Sequence, residues 1–306
     1  MARLVFMGTP EFAVPSLRTL ATEHHVTGVV SQPDRRVGRG LKFSTAPTKA
    51  TAQELGIPVI TPTGLLDENS LSQIADWKPE LIVVVAYGHI LRHDLLALPA
   101  SGCLNVHASL LPRHRGAAPV AAAILAGDIR TGVSIQQMEE GLDTGPVLAQ
   151  REITIDAGHT SGALTADLAP LGARLLRETI PGYLDGEIIP KLQDNTLATY
   201  APKLRKDDGR LDFSHSAVEL ERQVRAMQPW PGAFALRRMQ PLRVLRADAV
   251  SGKAPPGLVV RDSGTIAVGT GNGLLQLHSI QPAGKRAMDP DNYARGAPDF
   301  VGDTFN

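Results

Sequence analysis

Two polar residues near the end of a predicted strand, Asn105 and His107, are the first candidates for chemistry. Side chains alternate along a strand, so both should point to one face of the sheet while Val106 points to the other. An amide N–H beside an imidazole can donate hydrogen bonds to an oxyanion that develops on a carbonyl oxygen. The alternative is that both side chains only cap the end of the strand, and spacing by itself does not decide between these interpretations.

A third candidate is Asp143, in the glycine-flanked segment GLDTG at 141–145. This segment follows another predicted strand, and its glycines permit a tight loop that can direct a carboxylate into a cleft. The alternative is an Asx turn, in which Asp143 would bond its own backbone. Taken alone, the segment leaves both interpretations open.

An open α/β sheet is the fold that the first 150 residues predict. Short runs that are apolar throughout indicate strands buried on both faces, as in a parallel sheet covered by helices. The sheet would place Asn105 and His107 where open α/β sheets bind ligands, at the C-terminal end of a strand. The first helix is expected to have Thr9 as its N-cap and Pro10 as its first residue. The predicted strands are 4–7, 26–30, 81–86 and 103–106, and the predicted helices are 10–20, 47–55 and 67–77.

The remaining chain predicts two more strands, a long helix and a smaller β domain. Periodicity fails after the helix, so we expect a catalytic domain at 1–188, a linker at 189–207 and a C-terminal domain at 208–306. Short β-rich runs between glycine turns indicate an OB-like β-barrel. The predicted fold class is therefore α/β, an open, mostly parallel Rossmann-like sheet followed by the barrel. The strands are 132–137, 147–155, 242–245, 257–260, 265–268 and 274–280, and the helices 161–183 and 217–227.

Several classes of protein are disfavoured by what the sequence lacks. The first strand is followed by Gly8-Thr9-Pro10, not by the G-x-G-x-x-G of dinucleotide-binding sheets, and there is no P-loop. No Cys/His cluster has zinc spacing, so no metal is expected. The single cysteine, Cys103, excludes an internal disulfide and suits a reducing cytoplasm. We find no signal peptide and no apolar run that could cross a bilayer, and we therefore expect a cytoplasmic protein without membrane association.

The segment DRRVGRGLK at 34–42 is the most basic part of the sequence. Residues 203–306 also hold 15 Lys and Arg against 11 Asp and Glu, whereas residues 1–202 hold 16 against 20. A basic run is commonly a solvated face, but one that lies beside an active site can also contact the phosphates of a nucleic acid.

These motifs together resemble the folate-dependent formyltransferases. The resemblance rests on NVH at 105–107, SLLPRHRGAAP at 109–119 and GLDTG at 141–145, in that order. It extends over almost the whole chain through FMGTPEFA, QPDRRVGRG, VVVAYG, the Pro229-Trp230-Pro231 turn and IQPAGKRAM. One departure is His114, where related sequences usually carry an aromatic residue.

The resemblance implies a substrate pair and a role for each candidate residue. The formyl group of 10-formyltetrahydrofolate would pass to the α-amino group of methionine on a charged initiator tRNA, giving N-formylmethionyl-tRNA for translation initiation. Asn105 and His107 would bind the oxyanion, and Asp143 would orient His107 and help to move the proton. No metal and no obligate protein partner are inferred. The implied folate contacts are Ser109, Leu110, Leu111 and Pro112, and the implied tRNA contacts are Arg35, Arg36, Arg39 and Lys42.

Two alternatives remain. A formyltransferase that acts on a small amine would share the catalytic trio, but it would not need the basic segment and the C-terminal barrel together. A non-catalytic RNA-binding protein with this fold is expected to have lost Asn105, His107 or Asp143, and this sequence keeps all three.

Overall fold

The chain forms two compact units, which we describe from a computed structural model that covers residues 1–37, 42–64 and 66–305. The first unit comprises Met1–Pro119, Arg130–Thr154 and Thr165–Ala201. The second comprises Val120–Ile129, Ile155–Leu164 and the chain from Pro202 onward. This division differs from the three contiguous segments expected from the sequence, because residues 120–129 and 155–164 of the expected catalytic domain group with the chain from Pro202 onward.

The first unit is built on a seven-stranded sheet of order β10-β9-β7-β6-β1-β2-β5. Strand β9 runs antiparallel to its neighbours β7 and β10, and all other neighbouring strands are parallel. The predicted open, mostly parallel sheet is confirmed. Its strands are β1 (Arg3–Gly8), β2 (His25–Val30), β5 (Val59–Ile60), β6 (Leu81–Val85), β7 (Cys103–His107), β9 (Arg130–Gln137) and β10 (Val147–Thr154). Two short pairs lie outside this sheet, β3 (Arg35–Val37) with β4 (Lys42–Ser44) and β8 (Arg115–Gly116) with β11 (Tyr200–Ala201).

Central strands of this sheet are buried on both faces, as their apolar sequences predict. All five residues of β6 and all five of β7 are buried, so Asn105 and His107 are polar residues in an otherwise apolar strand. The helices that follow the strands are α1 (Val14–Glu23), α2 (Pro47–Glu54), α3 (Glu68–Asp76), α4 (His93–Leu96), α5 (Pro119–Ala126) and α6 (Ser161–Leu184).

The first helix begins later than the sequence suggested. Thr9 is not an N-cap, because its hydroxyl accepts the N–H of Gln32 at 3.2 Å. Pro10 precedes a 3-10 turn at Glu11–Ala13, and α1 begins only at Val14. The expected cap at Thr9 is therefore wrong, since its side chain instead ties the end of β1 to the chain that follows β2.

The expected linker also carries regular structure. Its central part forms a 3-10 turn at Asn195–Leu197 and the strand β11, which runs parallel to β8. The linker residues 189–201 belong to the first unit. Here the chain lies against the unit instead of crossing solvent.

The second unit is an antiparallel five-stranded sheet of order β12-β13-β16-β15-β14, a half-barrel rather than a closed barrel. Its helix α7 begins at a capping box, in which Ser216 accepts the N–H of Glu219 and Glu219 accepts the N–H of Ser216. Leu220 and Val224 are buried on this helix, which packs against β13. The elements are α7 (Ala217–Ala226), β12 (Phe234–Arg237), β13 (Gln240–Val250), β14 (Val259–Asp262), β15 (Thr265–Gly269), β16 (Leu274–Pro282) and α8 (Pro290–Gly296).

Among the described residues, every helix is too short or too polar to cross a lipid bilayer.

Candidate active site

The three predicted catalytic side chains lie together at the edge of the first unit's sheet. Asn105 and His107 are on β7, and Asp143 is in the loop between β9 and β10. The Oδ1 atom of Asp143 lies 3.4 Å from Nδ2 of Asn105 and 3.6 Å from Nδ1 of His107. The side chains of His107 and Asp143 are only 6% and 14% exposed. An amide, an imidazole and a carboxylate thus share one largely desolvated corner.

The Asp143 carboxylate is held by groups on two strands outside its own loop. Its carboxylate accepts the backbone N–H of Gly116 on Oδ2 and the side-chain N–H of Gln136 on Oδ1, both at 2.8 Å. Its backbone has a φ of 53°, a left-handed conformation that aspartate tolerates better than most residues. These partners differ from those of an Asx turn, because the carboxylate is bonded to other strands rather than to its own loop.

The hydrogen on the imidazole of His107 can be assigned from its neighbours. Its Nε2 lies 2.9 Å from the backbone carbonyl oxygen of His114. A carbonyl oxygen can only accept, so Nε2 must carry a hydrogen. Nδ1 is the nitrogen that faces Asp143. The N–H of His114 is in turn held by Thr199 Oγ1 at 2.8 Å.

Gly116 allows the close approach that this arrangement needs. Its φ is 116°, and a Cβ at this position would lie 2.6 Å from the carbonyl oxygen of Ala201. The pairing of β8 with β11 leaves no space there for a side chain. Glycine thus brings its N–H to Asp143 and its α-carbon against the backbone of β11 at the same time.

Four residues of this site were not identified from the sequence. Gln136 is 2% exposed and lies directly opposite Asn105 across the β7–β9 pair. Its place follows only from the antiparallel register of β9, which the sequence does not reveal. The other three are Arg115, Gln193 and Thr199, of which the last two belong to the expected linker.

The predicted folate segment, Ser109 to Pro112, has several of its polar groups satisfied within the protein. The Ser109 hydroxyl donates to Arg113 O at 2.6 Å, and its carbonyl accepts from Ser134 Oγ, also at 2.6 Å. Leu111 N donates to the same Ser134 hydroxyl at 3.0 Å. Ser109 and Leu111 are buried, whereas Leu110 and Pro112 are half-buried. Any ligand contact from this segment would come mainly from Leu110 and Pro112.

Another group that can contact a ligand follows β6. The hydroxyl of Tyr87 is buried without a hydrogen-bond partner among the described residues. Burial raises the pKa of this phenol to about 12, so it remains a neutral donor. Tyr87 lines a small cavity of about 10 Å³ together with Leu66, Leu91 and the largely exposed Ile90. The walls of this cavity are mostly apolar.

Of the predicted tRNA contacts, Arg39 lies outside the described residues. Arg35 and Arg36 lie on β3 and Lys42 on β4, which form an antiparallel pair on either side of it. The base of this basic segment is fixed by Asp34, whose carboxylate pairs with Lys49 at 2.8 Å. The hydrogen bond from Lys49 lowers the pKa of Asp34 below its usual value.

Cys103 is a core residue at the start of β7. Burial raises the pKa of its thiol to about 12, which leaves almost no thiolate at neutral pH. Within residues 1–37, 42–64 and 66–305, no three His, Cys, Asp or Glu side chains lie close enough together to hold a metal ion.

Comparison with known proteins decides the family. Residues 2–180 match the formyl transferase family, and residues 203–298 match the formyl transferase C-terminal domain. The chain belongs to the formyl transferase family. The resemblance inferred from the sequence motifs is thereby confirmed.

Relatives within this family align with nearly the full chain. A methionyl-tRNA formyltransferase from Myxococcus xanthus (strain DK1622) is 48% identical over 96% of this chain and 95% of its own. A second, from Roseiflexus sp. (strain RS-1), is 44% identical over 96% of this chain and 92% of its own.

More distant solved structures share the fold. An N-formyltransferase from Helicobacter canadensis, solved with folinic acid and dTDP-3-aminofucose, is 17% identical with a TM-score of 0.70 and covers 90% of this chain and 98% of that one. HypX from Aquifex aeolicus, solved with tetrahydrofolic acid, is also 17% identical, with a TM-score of 0.62 over 98% of this chain and 47% of that one. At such identities the comparison speaks to the fold alone, and it agrees with the formyltransferase fold described above.

Proposed function

We propose that this chain transfers the formyl group of 10-formyltetrahydrofolate to the α-amino group of methionine on charged initiator tRNA in the cytoplasm. The convergence of Asn105, His107 and Asp143 is the observation that carries the formyl-transfer chemistry. The choice of acceptor draws on the names of relatives that are 44–48% identical over 96% of the chain.

The chemical task of the site is to manage charge. A free α-amino group has a pKa of about 7.7–8.0, so a useful fraction is already neutral at cellular pH. The barrier then comes from the oxyanion that forms on the formyl oxygen and from the proton left on the attacking nitrogen. The site's donors and its carboxylate address these two charges separately.

Asn105 and His107 are the proposed oxyanion donors. Asn105 would use an Nδ2 hydrogen, and a donor of this kind contributes about 3–4 kcal/mol at comparable sites. Because its Nε2 hydrogen is already given to the His114 carbonyl, His107 would donate through Nδ1 only as an imidazolium, with a hydrogen on both nitrogens. Asp143 lies 3.6 Å from this Nδ1, so it would orient the ring and help to move the proton towards the leaving nitrogen.

A folate-type formyl donor would supply the electrophilic carbonyl carbon when bound, and its proposed contacts lie in Ser109 to Pro112. A flat ring with a polar edge needs apolar walls and a few unpaired polar groups. Leu66, Leu91 and the Tyr87 hydroxyl, which has no partner among the described residues, line a cavity of only about 10 Å³. This is room for about one water, so the cavity would have to open before it could admit a ring. Leu110 and Pro112 would add apolar contact, while Ser109 and Leu111 would support them from beneath.

The basic segment is the proposed contact with the tRNA acceptor stem, through Arg35, Arg36, Arg39 and Lys42. Phosphate contacts of this kind give affinity that falls with increasing salt. Replacing Arg39 with Ala should therefore weaken the selection of initiator tRNA more than it weakens binding of the folate. Equal losses for both substrates would instead mark the segment as structural.

Formylation of three acceptors tests the proposal. The purified protein, with 10-formyltetrahydrofolate, is given initiator tRNA charged with methionine, elongator tRNA charged with methionine, and free amines that include an amino sugar nucleotide. We expect formylation of the charged initiator tRNA to exceed the others by far. Activity on the free amines alone would instead support the small-amine alternative, and no transfer at all would support the non-catalytic one.

A further inference from the structure

Gln136 gives its amide hydrogen to the Asp143 oxygen that faces Asn105 and His107. Its Nε2 lies 2.8 Å from Asp143 Oδ1, a shorter distance than either catalytic neighbour makes to that oxygen. The side chain is 2% exposed, so water cannot readily replace this bond. Gln136 also does not need to touch a substrate to act, because its contact is with the carboxylate.

A chain of hydrogen bonds that begins at Arg115 leads through Gln193 to the neighbourhood of Gln136. Arginine has five N–H groups and no acceptor, so it can only donate. Its Nε and Nη2 lie 3.1 and 2.8 Å from Oε1 of Gln193, which must therefore accept. Arg115 is itself 2% exposed and also donates to Asn195 Oδ1 at 2.8 Å. The orientation of the Gln193 amide thus follows from the guanidinium.

Because the Gln193 oxygen accepts from Arg115, its Nε2 hydrogens point the opposite way and donate there. Its Nε2 lies 2.9 Å from the carbonyl oxygen of Asp143, 2.7 Å from that of Gly145, and 3.4 Å from Oε1 of Gln136. The two short contacts take both Nε2 hydrogens, so the 3.4 Å contact can at most share one of them. Gln136 turns its N–H to Asp143 because a carboxylate oxygen can only accept, and this leaves the Gln136 oxygen towards Gln193. We call Arg115, Gln193 and Gln136 the relay. It begins at a guanidinium, which can only donate, and ends at the Asp143 carboxylate, which can only accept.

We propose that Gln136 is a positioning residue for the formyl transfer described above, and that the Arg115–Gln193–Gln136 relay fixes Asp143 at its backbone and at its carboxylate. This inference rests on the proposed function. Without the Gln136 donor, Oδ1 is free to turn from the line that joins Asn105 and His107, and a misplacement of about 1 Å at a reacting group can cost about 100-fold in rate.

Replacing Gln136 with Met removes the amide and keeps the side-chain length. The matched control is Gln137→Met, the same change one residue further along β9, where the side chain points to the other face. We expect Gln136→Met to lower kcat about 10- to 100-fold, with both KM values changed less than about 2-fold, and Gln137→Met to leave kcat unchanged. A kcat within 2-fold of wild type for Gln136→Met would overturn the proposal.

A double-variant cycle separates positioning from general damage to the fold. If Gln136 acts through Asp143, Gln136→Met should cost less than about 2-fold further in single-turnover rate when Asp143 is already Asn. The full 10- to 100-fold loss in that background would contradict the relay. Wild-type protein that fails to formylate charged tRNA would overturn the proposed function and this inference together.

Gln193→Glu provides a second, independent variant if Gln136→Met does not fold. The new carboxylate keeps an acceptor for Arg115, but the N–H groups to Asp143 O, Gly145 O and Gln136 are lost. A carboxylate oxygen then faces the two carbonyl oxygens. We expect kcat to fall about 10-fold in protein that remains folded at the assay temperature, with thermal stability also lowered because carboxylate and carbonyl oxygens repel. Unchanged kcat in a folded Gln193→Glu protein would contradict the relay.

Discussion

Each unit contains a poorly exposed arginine, and the two are partnered in different ways. Arg115 in the first unit is 2% exposed and donates to the neutral amide oxygens of Gln193 and Asn195. Arg237 in the second unit has an 11% exposed side chain and pairs with two carboxylates, Asp299 at 2.9 Å and Asp303 at 2.8 Å. The first arginine is linked to a carboxylate only through intervening amides, whereas the second is neutralised directly.

This difference indicates what each arginine does. In a direct ion pair the two charges neutralise each other and orient no further group. Arg237 therefore binds the C-terminal segment to β12 and contributes locally to stability. A guanidinium that meets amides sets their orientation and thereby influences a carboxylate further away. Substitutions around Arg115 should therefore lower the rate of formyl transfer, whereas substitution of Arg237 should lower the free energy of unfolding.

Gly116→Ala should give the largest loss in this comparison. The new Cβ would lie 2.6 Å from the Ala201 carbonyl oxygen, so the backbone must shift and carry its N–H away from Asp143. We expect kcat to fall about 100-fold and the free energy of unfolding to fall by about 1–3 kcal/mol. Formylation kinetics and thermal unfolding measure the two effects. Gly158→Ala is the matched control, since a Cβ there meets no atom within 4 Å.

Arg237→Met should act on stability. Its removal leaves Asp299 and Asp303 without their least exposed cation, and the free energy of unfolding should fall by about 2–3 kcal/mol. The adjacent Arg238 reaches the same two carboxylates but its side chain is 65% exposed, so Arg238→Met should cost less than about 1 kcal/mol. Denaturant unfolding compares the two variants. Equal losses would mean that burial is not what distinguishes Arg237.

Cys103 should show the smallest effect in formylation assays. With a pKa of about 12, its thiol holds about 10³-fold less thiolate at pH 8 than an ordinary cysteine. We expect native protein to resist alkylation by iodoacetamide at pH 8, unfolded protein to react, and Cys103→Ser to keep its kcat. Because the folded-state pKa is raised, the thiol's contribution to stability is complete below pH 9 and is lost as pH rises towards 12. Rapid labelling of the native thiol would show that β7 is less buried than described.

The parts of the molecule that the sequence predicts are those fixed by local pattern. Apolar runs located the strands, and alternation placed Asn105 and His107 on one face. Contacts that depend on strand register were missed: Gln136 faces Asn105 only because β9 runs antiparallel to β7. Gln193 and Thr199 were assigned to a linker because a segment paired through β11 has no periodicity of its own. The predicted N-cap at Thr9 was wrong because its hydroxyl accepts the N–H of Gln32, which follows β2. Arg39 stays a prediction.

Replacement of Asp143 with Ala tests the account most directly. The measurement is the single-turnover rate of formyl transfer to charged initiator tRNA, with tRNA binding measured in parallel on the same preparation. Because the Asp143 carboxylate accepts from Gly116 and Gln136 and lies beside Asn105 and His107, we expect the rate to fall by at least about 10³-fold while tRNA binding persists. A near-normal rate would contradict the assignment of Asn105, His107 and Asp143 as the catalytic trio.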